Sequence, residues 1–195
     1  MEYLTMANSR SIRFMILTFS VLFLSACSTV HFNGVHVDKK GRTAVSAINS
    51  SDNKKINNLY QAIMSLSPKV IPSEAKFVAR EAVLYPKVLA NRYQLTSPPL
   101  YHNVLVNYGQ RPRGLCYQWT YDMGQQINRP MKSLQFFHGV AFRRNYWREH
   151  STLVVTAKGQ AFKEGIILDP WRNSGNLFWS RIKDDKKYPW VQFTN

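Results

Sequence analysis

The 195-residue chain has two cysteines, 11 acidic side chains and no apolar run long enough for a confident membrane span. Each shortage excludes something. Two thiols cannot staple a disulfide-rich scaffold, and no paired cysteines stand at zinc spacing. There is no phosphate-cradling glycine loop and no His-x-x-His ligand set, so no cofactor or metal is expected. Internal repeats and low-complexity blocks are lacking as well. Positive charge is abundant: 26 Lys and Arg against 11 Asp and Glu give +15. Such a surface attracts polyanions, whether nucleic acid, anionic headgroups or acidic envelope polymers. Hydrophobic content of 45% and aromatic content of 13%, with five Trp between residues 119 and 190, exclude a disordered chain. A single compact core without staples is within the means of this length.

Arg10 and Arg13 are followed by "FMILTFSVLFLSAC", an apolar run of signal-peptide length. It closes on Leu24-Ser25-Ala26-Cys27, which resembles a bacterial lipobox. The resemblance implies that residues 1–26 are removed and that Cys27 is lipidated, palmitate included, as the first mature residue. Ser28 in place of aspartate implies, by the same rule, an outer-membrane anchor facing the periplasm of a Gram-negative cell. Several acyl chains make such anchoring stable. Removal of Arg10, Arg13 and Glu2 leaves 24 basic and 10 acidic side chains, or +14. In that compartment nucleic acid is not an expected partner, whereas the membrane and anionic envelope surfaces are. With Cys27 carrying lipid, Cys116 has no disulfide partner and is either a buried small hydrophobe or a reactive thiol.

Residues 27–54, rich in Ser, Asn, Lys and Gly, read as a tether with a short strand at "VHFNGVHV". Residues 55–195 form one domain. A helix from Ile56 places Ile56, Leu59, Ile63 and Leu66 on one face. Ser73 is expected to cap a second helix, which Pro86 should kink or end. A third starts at "SPPLYHNVLVNYG", with Leu100, Val104 and Leu105 on one face and Gly109 at its C-terminal end. The fourth, "LCYQWTYDMGQQI", repeats Leu115, Trp119, Met123 and Ile127 every four residues and holds Cys116 in its first turn. Beyond it, "LQFFHGVAFRR", "STLVVTA" and "GIILDPW" read as strands, the last two joined by a hairpin connection at "AKGQAFKEG". Helices first and an antiparallel sheet second define an α+β domain.

A thiol at a helix N-terminus beside an imidazolium becomes a strong nucleophile. His150 opens a strand 34 residues after Cys116, and Asp169 ends the next strand 19 residues later. Cysteine, histidine and aspartate in that order supply nucleophile, base and orienting acid. Residues 109–172 thereby resemble the transglutaminase-like branch of the papain-like cysteine-protease superfamily. The resemblance implies a helix-borne Cys116 packed on an antiparallel sheet that carries His150 and Asp169. It also implies Gln110, six residues before Cys116, as an oxyanion donor. The motif departs from the family in lacking a Trp directly after the cysteine and Ala-Trp after the histidine. His138, within "QFFHGVAF", is the rival base, and the basic clusters "RPR", "FRRNYWR" and "DDKK" read as solvated faces. The expected activity is that of a thiol hydrolase or acyltransferase acting on amide bonds of envelope proteins or peptidoglycan peptides. The alternative is a non-catalytic outer-membrane lipoprotein that uses the same fold for binding or scaffolding.

Overall fold

The computed structural model describes residues 28–127, 129–142 and 149–194. The signal segment 1–26 and Cys27 lie outside the described residues. Helix α1 spans Ser50–Met64, starting earlier than its apolar periodicity because Asn49 caps it: the Asn49 side chain accepts from the Asp52 N–H at 2.8 Å. Leu59 and Ile63 are fully buried on its inner face. Helix α2, Pro72–Arg92, begins with Pro72 at a first-turn position, where a missing N–H costs nothing. Ser73 lies inside this helix and does not cap it. Instead Glu74 accepts from the Lys132 N–H at 2.7 Å and the Ser133 N–H at 2.9 Å, tying the helix start to the chain entering the sheet.

Pro86 does not end α2; the helix continues to Arg92. The reason is burial. Every residue from Glu81 to Ala90 is enclosed, so packing outweighs one lost backbone hydrogen bond. Two of the enclosed side chains are charged and both are answered. Glu81 accepts from Thr43 Oγ1 at 2.6 Å and Gln126 Nε2 at 2.9 Å, and Lys87 pairs with Asp52.

Residues 28–49, expected to be part of a tether, are instead sewn to the domain. Strand β1 (Ser28–Thr29) pairs with β4 (Thr96–Ser97), with Ser28 opposite Ser97. Asn91 clasps the backbone of Phe32 in both directions, at 2.9 and 2.7 Å. Strands β2 (Val35–Val37) and β3 (Thr43–Val45) form a small hairpin against α2.

Helix α3 spans Pro99–Asn107 and ends in a Schellman arrangement: Gly109 (φ +71°) donates to Val106 O and Gln110 to Leu105 O. Its buried face differs from the expected one. His102 and Leu105 point inward, whereas Leu100 is 61% and Val104 46% exposed. The polar anchor decides the rotation, because His102 Nδ1 accepts from the Thr96 N–H and its Nε2 donates to Arg113 O.

Helix α4, Cys116–Ile127, buries Trp119, Met123 and Ile127 as expected. The antiparallel sheet follows: β5 (Leu134–Ala141), β6 (His150–Ala157), β7 (Ile166–Asp169), β8 (Phe178–Arg181) and β9 (Trp190–Gln192), in the order β8-β7-β6-β5-β9. One face, bearing Leu153, Val155, Ile166 and Leu168, packs on the helices. The other, bearing Val154 and Ile167, packs on Phe162 and Trp190. The fold is therefore α+β, with helices preceding an antiparallel sheet. No described helix is long and apolar enough to cross a membrane.

Candidate active site

The segment "RGLCYQW" folds as a self-bonded unit in front of α4. Gly114 has φ +132°, and a Cβ there would lie 2.2 Å from His102 Nε2, so only glycine fits. Gln118 folds back so that its Oε1 accepts from the N–H groups of Gly114 (2.8 Å) and Leu115 (3.0 Å). Trp119 Nε1 donates to Gly114 O at 2.9 Å. Arg113 forks onto Asp122 at 3.0 and 2.8 Å, and Tyr93 donates its hydroxyl to the same carboxylate at 2.6 Å. Arg113 of the "RPR" cluster is thus a structural partner as well as a surface charge. Cys116 emerges as the first helical residue, half-buried, with its thiol directed at Glu149 O 4.0 Å away. The N–H groups of Cys116 and Tyr117 have no acceptor within the helix, and the positive end of the helix dipole faces the sulfur.

In the β6–β7 register Leu153 faces Leu168 and Val154 faces Ile167. This alternation puts His150 and Asp169 on one sheet face as diagonal neighbours. His150 Nε2 lies 2.7 Å from Asp169 Oδ2, and both residues are 1% exposed. The imidazole is boxed by Trp171, Tyr188 and Trp190, with ring centroids 4.6, 4.8 and 5.4 Å away. Its other nitrogen, Nδ1, is buried with no hydrogen-bond partner among the described residues. Burial alone would lower the His150 pKa. The charge and hydrogen bond of Asp169, joined by the neighbouring Cys116 thiol, outweigh it and push the value up to about 9. Cys116 thus lies beside the start of β6, near enough to influence the His150 ring.

Asp169 is held in turn. It accepts from the Arg172 N–H at 3.2 Å and Arg172 Nε at 3.1 Å. The rest of that guanidinium forks onto Asp185 at 3.2 and 2.7 Å and stacks 3.8 Å from the Phe178 ring centroid. Trp190 Nε1 completes the Asp185 site at 2.8 Å. Burial opposes both charges, yet their pairing prevails. The Arg172 guanidinium is held above, and the Asp185 carboxyl below, its ordinary range. Arg172 and Asp185 were missed in the sequence. Arg172 follows Asp169 by three residues in a 3₁₀ turn, a spacing visible in the sequence; Asp185 is concealed inside "DDKK", whose composition is that of a solvated run.

A cleft of about 350 Å³ opens beside His150, lined by Leu100, Asn103, Trp171, Arg172, Lys187 and Tyr188. Asn103 Oδ1 accepts from Trp171 Nε1 at 3.1 Å, which assigns the oxygen to the indole and leaves the NH₂ as the donor end. Gln110 is exposed, engages Leu105 O through its backbone, and does not line this cleft. His138 stands opposite Leu153, on the sheet face away from His150, in a second cleft of about 360 Å³ with Tyr117, Glu149 and Phe193. Its ring lies 5.0 Å from Phe193, and burial lowers its pKa against the raising effect of Glu149.

Among the described residues no group of three or more His, Cys, Asp or Glu could hold a metal ion. No family model matches the chain, and neither a curated protein nor a solved structure does.

Proposed function

We propose that the protein is an envelope-anchored thiol hydrolase or acyltransferase that works on amide bonds through Cys116, His150 and Asp169. One observation carries the reading. His150 has one nitrogen committed to Asp169 at 2.7 Å and the other open, buried and beside a thiol at a helix start. Asp169 fixes the tautomer and favours the imidazolium, which in turn favours the thiolate.

The thiolate attacks the amide carbonyl, forming a C–S bond while the carbonyl oxygen takes the negative charge. The Cys116 N–H donates to that oxygen, a contribution of about 3 kcal/mol per donor. Collapse breaks the C–N bond, and His150 gives its proton to the leaving nitrogen. Water then attacks the thioester, transferring its proton to His150 and releasing the acid and the Cys116 thiolate; an amine attacking instead gives acyl transfer. Substrates within range of an outer-membrane anchor are envelope proteins and peptidoglycan stem peptides.

The test is the pH dependence of Cys116 alkylation by iodoacetamide. A thiolate paired with His150 keeps reacting near pH 5–6, whereas an isolated thiol titrates near about 8.5. His150→Ala should abolish the low-pH reactivity and His138→Ala should leave it. An ordinary thiol titration in the wild-type protein removes the catalytic reading and leaves a binding or scaffolding module.

A further inference from the structure

Helix α3 carries no charged residue, and its outward face is apolar: Leu100, Val104 and Tyr108, spaced four apart, are 61%, 46% and 79% exposed, with Tyr101 beside them at 40%. Nothing among the described residues covers this stripe. The rotation that produces it is set by His102 and Leu105, so it is a fixed feature of the fold.

The stripe lies where the chain enters the domain. Ser28 pairs with Ser97, and α3 begins two residues later at Pro99. Counting one strand spacing and the three steps from Ser97 to Leu100, Ser28 is at most about 17 Å from Leu100. Positive charge flanks the helix: Arg111 follows its C-terminal end, and Lys187 shares the cleft with Leu100 near its start. Tyrosines and aliphatic side chains between basic residues suit the interface of an anionic bilayer.

We infer that the exposed face of α3 seats on the membrane surface, so that the cleft beside His150 opens at the headgroup layer. This rests on the reading of Cys27 as the lipid anchor. Acyl chains at residue 27 enter the bilayer next to α3, and the apolar stripe is the adjoining surface able to follow them. The substrate bond must therefore be presented close to the membrane plane.

The test uses the full-length protein, purified from an envelope and reconstituted in phosphatidylethanolamine–phosphatidylglycerol vesicles that contain a phospholipid with a photoreactive headgroup. Peptide mass spectrometry then maps the crosslinks and reports the acyl group on Cys27. Lipid adducts on residues 99–108, several-fold above those on α1, support the inference. The variant Val104→Asp/Tyr108→Asp should reduce them to the α1 level while leaving Cys116 alkylation unchanged. An acylated Cys27 with α3 labelled no more than α1, or labelling that survives the double substitution, overturns the seating and leaves the anchor intact. A Cys27 without an acyl group overturns both. Adducts of α3 with a co-purifying protein in place of lipid also overturn it, marking the stripe as a protein interface.

Discussion

Asp169 receives three hydrogen bonds, from His150 Nε2, Arg172 Nε and the Arg172 N–H, inside an aromatic enclosure. Its effect on His150 is measurable as stability. The folded-state value of about 9 lies above the ordinary histidine value of 6.5. The protonated ring therefore contributes stability that is complete below pH 6.5 and is lost as the pH rises through 9. Urea midpoints between pH 6 and 10 should fall across that window in the wild-type protein and lose that decline in His150→Gln. Asp169→Asn keeps the volume but removes the charge. It should bring the His150 pKa down and erase low-pH alkylation of Cys116, read by the same iodoacetamide assay. Arg172→Met leaves Asp169 and Asp185 buried without their shared cation. Breaking such a pair costs about 3–5 kcal/mol, so the urea midpoint should drop sharply.

At the scale of elements, the loop before α4 is packed on His102 and held by Gln118 and Trp119, and the chain after β1 is held by Asn91. Gly114→Ala drives a methyl group into His102 from a backbone conformation that L residues rarely adopt. A cost of about 1–3 kcal/mol is expected, together with slower alkylation of Cys116, because the start of α4 shifts. Asn91→Ala removes both bonds to Phe32, and limited proteolysis should then cut within residues 28–34 well before the rest of the domain opens. The elements legible in the sequence were those whose signal is local. Trp119, Met123 and Ile127 keep a helical period, and Cys116 does begin that helix. The strands at 134–141, 150–157 and 166–169 announce themselves by β-branched and aromatic runs. What could not be read depends on distant partners. The inward face of α3 follows from His102 finding Thr96 and Arg113, and the passage of α2 through Pro86 follows from its complete enclosure. The short β8 and β9 have too few residues to show a period, and the N-terminal segment has the composition of a tether, but its bonds go to Asn91, Leu95 and Glu81, far along the chain. For the candidate site, His150 and Asp169 stand 2.7 Å apart, and Cys116 is near enough to influence the His150 ring. Their supports Arg172, Asp185 and the aromatic box do not share a motif with them.

For the molecule as a whole, charge and continuity set the behaviour. A formal charge of +15 on 195 residues is self-repelling. Moderate salt should raise the melting temperature by screening, an effect visible between low ionic strength and the physiological range, where the Debye length shortens to about 8 Å. Residues 28–49 share buried partners with α2 and α4, Glu81 bonding both Thr43 and Gln126. The chain from Ser28 onward should therefore melt in a single calorimetric transition. The pairing of Ser28 with Ser97 has one more result. Ser28 is already part of the folded body, so the chain from there on supplies no flexible leash. Under the proposed anchoring at Cys27, such a protein cannot cast itself across a gap in search of its target, and its working radius is its own diameter.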